Sequence, residues 1–242
     1  RSVESEMTAI SIEKVSFHYP GHKEWILKDF SLQLQAHKVL AVIGKSGCGK
    51  STLMRLISGL LKPTEGRIVL GKDMRVGVVF QDPRLLPWKT VFENVALPIR
   101  NETLEKQKAV VDEVLELVGL GHAQDFYPSE LSGGMAQRAA LARALVQSPD
   151  ILLMDEPFGA LDAITRAQIQ MDFESIQQRK KMTVVLITHE VNEAVRLADS
   201  VLVMSQTKII DTLDVQIAHP RSLTDMQVVN YAARVLNLLT HS

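Results

Sequence analysis

The chain has 242 residues, 46% of them hydrophobic and 23% charged, and a formal net charge of −1. This is the composition of an ordinary globular protein with ample core material, and the near-neutral charge gives no electrostatic footprint for a nucleic-acid partner. A single cysteine, Cys48, excludes a disulfide framework or a cysteine-rich zinc site, and no apolar run approaches the ~20 residues of a membrane-crossing helix.

Arg1 to Glu6 is polar and lacks the apolar core of a signal peptide. We read residues 1–6 as a disordered or added leader and residues 7–242 as one domain. Residues 10–40 have the look of short strands and turns. Tyr19-Pro20-Gly21-His22 is a turn, and Ser31 to Gln35 alternates with period two as a half-buried strand does. Val39 to Ile43 is a continuous apolar run, expected of a strand buried on both faces. A glycine-rich loop and a helical stretch from Thr52 to Ile57, stopping near Gly59, follow it. Val76 to Phe80, Ile151 to Met154, Val184 to Thr188 and Val201 to Met204 are further strand candidates, mostly separated by helical stretches. That alternation predicts a largely parallel, helix-flanked sheet.

Between about 82 and 135 the strand signal disappears. Leu104, Val111, Val114, Leu115 and Val118 share one helical face, and Gly119 and Gly121 can end that helix. This segment reads as a helical lobe inserted into the α/β core. The basic run Arg179-Lys180-Lys181 reads as a solvated helix end. Residues 205–242 suggest a short strand-and-helix tail, too short for a ligand-sensing domain.

Gly44-Lys45-Ser46-Gly47-Cys48-Gly49-Lys50-Ser51 satisfies every fixed position of G-x-x-x-x-G-K-[ST], between a predicted strand and a predicted helix. Glycines let successive backbone N–H groups converge on phosphate oxygens, and the following helix, with Thr52 in its first turn, turns its positive end to the same anion. Lys50 would reach the β- and γ-phosphates, and the Ser51 hydroxyl would meet Mg2+. Cys48 has two readings: a thiol sensitised by the helix end, which ATP would protect from alkylation, or a small filler residue. Ile151 to Met154 runs into Asp155-Glu156, two carboxylates at the end of an apolar strand. In a parallel sheet that end faces the ligand crevice. Asp155 suits Mg2+, through water, and Glu156 can polarise an attacking water.

Leu131-Ser132-Gly133-Gly134-Met135 gives the class. With it the sequence resembles the ABC ATPase family over nearly the whole chain. The resemblance implies a P-loop NTPase α/β core with a mostly parallel sheet, an N-terminal antiparallel β subdomain and the inserted helical subdomain. It also implies a head-to-tail dimer in which each copy adds Ser132, Gly133 and Gly134 to ATP held by the other. Further landmarks stand in family order: Tyr19 to stack on adenine, Gln81 to touch Mg2+ and sense the membrane partner, Asp162 of Ala160-Leu161-Asp162 crossing to the opposite subunit, and His189 to contact the γ-phosphate. Taken singly, Tyr19 reads as a turn aromatic, Gln81 as a surface amide and His189 as a capping residue. Lys50, Glu156 and His189 are the residues implied for catalysis. Met135 replaces the signature glutamine, and Gly159 stands where serine is frequent.

Leu85-Leu86-Pro87-Trp88 and Met135 together resemble the bacterial importers of nitrate, sulfonates and taurine. That subgroup implies a permease contacted near Trp88, with a core aromatic as the alternative reading of Trp88. It further implies a substrate-binding protein acting indirectly, and a peripheral position on the cytoplasmic face of the cell membrane. Competing readings are a soluble ABC ATPase of DNA repair or translation, a small-molecule P-loop kinase, and a nucleotide-binding module without turnover.

Overall fold

The structure, a computed structural model, describes residues 7–241, so the expected leader at residues 1–6 lies outside the described residues. The chain divides into two compact units. One is built from the chain up to Met74 together with Met182 onward, the other from Arg75–Lys181. The first begins with β1 (Thr8–Phe17), β2 (Leu27–Gln35), β3 (Val39–Gly44), α1 (Lys50–Ile57) and β4 (Glu65–Leu70). The second holds β5 (Val76–Val79), α2 (Val91–Ala96), α3 (Leu104–Leu117), α4 (Gly133–Leu145), β6 (Ile151–Asp155) and α5 (Ala163–Lys180). The first is completed by β7 (Thr183–Thr188), α6 (Val191–Leu197), β8 (Ser200–Ser205), β9 (Lys208–Asp214) and α7 (Met226–Thr240).

In the first unit, β2-β1-β4 form an antiparallel sheet. The strands β7-β3-β8-β9 run side by side, with β3 parallel to both β7 and β8 and β9 returning antiparallel on β8. Every residue of β3 and β7 is buried. That is why Val39 to Ile43 and Val184 to Ile187 are unbroken apolar runs, with no alternation to betray a solvent face. The Tyr19 turn closes through the His22 amide donating to the Tyr19 carbonyl at 3.0 Å.

The tail of this unit is fastened by a buried arginine. The Arg221 guanidinium, 5% exposed, donates Nε to Ile217 O (2.9 Å), Nη1 to Val195 O (2.8 Å) and Ala198 O, and Nη2 to Val215 O (3.0 Å). One side chain thus satisfies carbonyls from the end of α6 and from the segment leading into α7. Replacing it by methionine keeps bulk but strands those carbonyls, each worth about 1–3 kcal/mol when buried and unpaired. We expect Arg221→Met to lose about 3 kcal/mol in denaturant unfolding. A loss below about 1 kcal/mol would mean that water or relaxation replaces the guanidinium.

In the second unit β5 and β6 pair in parallel. Between residues 82 and 135 the secondary structure is helices and turns, within a compact unit that is larger, Arg75–Lys181. α2 starts on a reciprocal cap in which the Thr90 hydroxyl and the Glu93 carboxylate each take the other residue's amide. In α3, Val111, Val114 and Leu115 are buried, as is Val118 at its end, and Gly119 leaves the helix at φ +74°. Leu104 stands on the same face, seven residues before Val111, yet is 80% exposed, because it occupies the first helical position after the Thr103 cap, before the buried stripe begins. The basic run is a helix end as expected, with Lys181 in the left-handed conformation that closes α5.

Candidate functional site

Two groups of residues emerge, one in each unit. In the first, β3 delivers the phosphate loop. A Cβ at Gly44 would lie 2.5 Å from Met204 O on the neighbouring β8 and 2.6 Å from Cys48 Sγ, so the strand end passes only as glycine. Gly49 caps α1 at φ 103°, a left-handed conformation costly for other residues. α1 begins at Lys50, so its first-turn N–H groups face back towards the loop, as unpaired helix-start donors do. The Lys50 ammonium is buried and donates to the carbonyls of Gly44 (2.7 Å) and Lys45 (3.0 Å), with Cys48 Sγ at 3.9 Å. Cys48 is 7% exposed. Its burial between Gly44 and Lys50 supports the filler reading of this thiol.

Tyr19 stands beside this loop. Its hydroxyl lies 3.2 Å from Thr52 Oγ1 and accepts from Arg55 Nη1 at 3.5 Å, and its ring meets Phe17 edge-on at 5.0 Å. Ser51 is exposed and Thr52 buried. His189, exposed, follows β7. Because Ile43 pairs with Thr188 in the parallel β3–β7 register, Gly44 and His189 leave the sheet at the same edge. Tyr19, the 44–52 loop and His189 therefore share one end of this unit.

In the second unit, Val79 pairs with Met154, so Phe80 and Gln81 leave β5 beside Asp155 and Glu156 at the end of β6. A Cβ added at Gly159 would lie 3.4 Å from Gln81 Nε2, 3.5 Å from Glu156 O and 3.9 Å from Glu156 Cβ. The glutamine amide thus lies over the Glu156 turn. Glu156 has φ +46°, a left-handed conformation that a non-glycine residue holds at a cost and that concentrates at functional sites. Asp155 and Gln81 offer hard oxygen donors of the kind Mg2+ takes. Among the described residues no cluster of three or more His, Cys, Asp or Glu could hold a metal. That donor set fits an ion that keeps several waters and is held largely by its substrate's phosphates.

The signature segment starts α4. Ser132 is its N-cap, the hydroxyl accepting the Met135 amide at 3.2 Å, and Ser132 and Gly133 are exposed. A Cβ on Gly134 would fall 2.5 Å from Thr165 Cγ2, so this glycine lets α4 approach α5 closely. Asp162 caps α5, accepting from Ile164 N and Thr165 N at 3.1 Å each. The hydrogen bonds from Thr165, side chain and then amide, hold its carboxyl below the usual carboxylate range. Signature and Asp162 therefore share a surface. The sequence read Asp162 only as a residue reaching a partner, and its local task as a helix cap is an addition.

Trp88 is 69% exposed, which removes the core-aromatic reading. Phe126 and Tyr127 are also exposed at 37% and 45%, and the Val91 amide donates to Phe126 O at 2.8 Å, so this strand of chain runs against the start of α2. Three residues that organise the loop escaped the sequence reading. Fully buried Asn94 accepts the Leu86 amide at 2.7 Å and donates to the carbonyls of Leu86, Lys89 and Thr90 at 3.2, 3.0 and 2.9 Å. Gln137 and Arg143 of α4 hold backbone carbonyls of the same loop. Nothing in their spacing marks them, because their partners are main-chain atoms. An open concavity of about 720 Å³ lies on the antiparallel sheet among Ile12, Glu13, Ser31 and Arg67 and includes none of these residues.

A family model described as ABC transporter matches residues 27–159, more than half of the chain. An aliphatic sulfonates import ATP-binding protein of Mesorhizobium japonicum is 45% identical over 96% of this chain and 91% of its own length. One from Streptomyces avermitilis is 41% identical over 96% and 86%. A bicarbonate transport ATP-binding protein of Synechococcus elongatus is 44% identical over 89% of this chain, which spans 34% of that longer protein. Among solved structures, cbiO1 from Clostridium perfringens, part of the ABC transporter complex cbiONQ, superposes with TM-score 0.80 at 28% identity, covering 87% of this chain and 90% of that one. A dimeric ATP-binding cassette in a post-hydrolysis state with ADP and Pi gives 0.76 at 29%, covering 86% and 100%. With a strand-borne phosphate loop in one unit, and a signature-capped helix and paired strand-end acids in the other, the chain belongs to the ABC transporter family as one of its ATP-binding, ATP-hydrolysing subunits.

Proposed function

We propose that this chain energises import of a small anion or organic compound of the nitrate, sulfonate or taurine type through a separate permease. The observation that carries this reading is its nearly end-to-end likeness to the aliphatic sulfonates import ATP-binding proteins. ATP is the substrate. Lys50 and the N–H groups of the 44–52 loop bind its phosphates, and Tyr19 takes the adenine. Mg2+, held by Ser51, Gln81 and Asp155, Asp155 through water, would neutralise phosphate charge. Glu156 orients the attacking water and His189 assists at the γ-phosphate. Phosphoryl transfer asks the protein mainly for positioning and charge stabilisation. A second copy, arranged head to tail, supplies Ser132, Gly133, Gly134 and Asp162 to the same nucleotide.

The likeness to import ATP-binding proteins supports a peripheral subunit at the cytoplasmic face, and the exposed Trp88 supports a permease meeting the loop there. A substrate-binding protein acts further away, on the permease. The test is ATP-dependent uptake of taurine, alkanesulfonate and nitrate by proteoliposomes holding the chain, its permease and binding protein. Uptake of one of them supports the reading, and ATP-driven efflux alone would overturn it. Trp88→Ala should weaken assembly with the permease by about 30-fold, as loss of a central aromatic anchor does. An unchanged titration would move the docking surface elsewhere.

A further inference from the structure

The loop after β5 is fastened to the helix that begins with the signature. Gln137, 4% exposed, donates Nε2 to Phe80 O at 3.2 Å. Six residues further along α4, Arg143 donates Nη1 to Arg84 O at 2.9 Å and Nη2 to Pro83 O at 2.6 Å. The loop is shaped to present those carbonyls: Arg84 is left-handed at φ +49°, and its guanidinium lies 4.0 Å over the Phe80 ring. Asn94 then holds the other end of the same loop, at Leu86, Lys89 and Thr90. Gln81 and Trp88 both ride on backbone held in this way, while Ser132 to Gly134 start the helix that holds it.

We propose that Arg143, with Gln137, is a positioning residue that makes the 80–90 loop and the signature helix one mechanical piece. Motion at Ser132–Gly134 is then delivered to Gln81 and Trp88 without loss in a flexible joint. An arginine suits this task because its planar fork grips two successive carbonyls at once. The arrangement tolerates an opposing cost: burial, and then the charge of Arg84 nearby, lower the Arg143 pKa. A solvated arginine on an idle helix face would carry neither burden. The inference rests on the reading that Ser132–Gly134 engage ATP held by a second copy.

The test is hydrogen–deuterium exchange of the full chain carrying Glu156→Gln, alone and with Mg-ATP, followed in peptides covering 83–90, clear of Gln81, and 132–146. In this reference chain Mg-ATP should slow exchange in both segments. Adding Arg143→Met should leave the slowing in 132–146 and abolish it in 83–90, with Arg143→Lys, which reaches one carbonyl, between the two. Arg143→Lys also serves alone should the methionine variant fail to fold. Slowing of both segments in the Arg143 variants would overturn the proposal, and so would slowing of 132–146 alone in the reference chain. If Mg-ATP slows neither segment there, the isolated chain does not close on nucleotide, and the nucleotide-free chains decide the clasp. Arg143→Met must then speed exchange in 83–90 by about tenfold while 151–155 stays unchanged. No selective rise would overturn it.

Discussion

Glu156→Gln is expected to slow ATP hydrolysis at least about 100-fold, the usual range for a lost general base, and to convert the chain from a monomer into a dimer only when Mg-ATP is present. The substitution keeps the shape of the side chain at the end of β6 and removes the charge that would polarise water. Its backbone, at φ +46°, is already in a conformation that a side chain holds only when its surroundings demand it. Glutamine bears the same conformational cost, so the folded state should be preserved. ATP binding rests on the 44–52 loop, which the substitution does not touch, so nucleotide persists and the closed dimer accumulates. Solution mass and single-turnover hydrolysis measure the two effects separately. A dimer formed without ATP would mean that the interface does not need nucleotide. A mass unchanged by ATP together with slowed hydrolysis would keep Glu156 as the base, yet require the permease for closure. Hydrolysis within about threefold of the parent would remove Glu156 from the reaction.

The candidate site was legible where chemistry constrains sequence locally, and illegible where partners are main-chain atoms. The glycine-rich loop is local: Gly44, Gly49 and Lys50 are each constrained by near neighbours in the chain, so the pattern survives in one dimension. β3, β6 and β7 were equally readable, since strands buried on both faces must be apolar throughout. β4 was not singled out. Its Glu65-Gly66-Arg67 start is polar, and Ile68 and Leu70 are only half-buried, so an edge strand of the antiparallel sheet carries little hydrophobic signal. Leu104 misled because periodicity marks a face without saying where along a helix burial begins. Asn94, Gln137, Arg143 and Arg221 gave no sign at all. Each holds carbonyls or amides whose identity is independent of side chain, so no complementary residue appears in the sequence to be matched. Gly159 is an intermediate case. Its departure from serine was visible, but its nearness to Gln81 and Glu156 needed three dimensions. There the small residue leaves the glutamine amide room over the Glu156 turn.

Lys50→Met should weaken ATP binding by about 2–3 kcal/mol, roughly 30- to 150-fold in Kd, the range for charge-assisted hydrogen bonds to a phosphate. The loss is smaller than the gross attraction of an ammonium for polyphosphate because this ammonium is not idle without nucleotide. It already holds the Gly44 and Lys45 carbonyls at 2.7 and 3.0 Å, and binding exchanges those contacts for phosphate oxygens. The same exchange bears on the nucleotide-free protein. Methionine leaves the Gly44 carbonyl without its donor, so stability should fall by about 1–2 kcal/mol. Arg is no remedy: at 7% exposure the Lys50 site has little room for a wider planar head. Nucleotide titration and denaturant unfolding of the same variant separate these effects. Normal ATP affinity with hydrolysis reduced would mean that Lys50 acts on charge that develops only in the transition state. Normal affinity and normal hydrolysis would mean that the buried ammonium serves the loop's own carbonyls, and that the N–H groups of the loop hold the phosphates unaided.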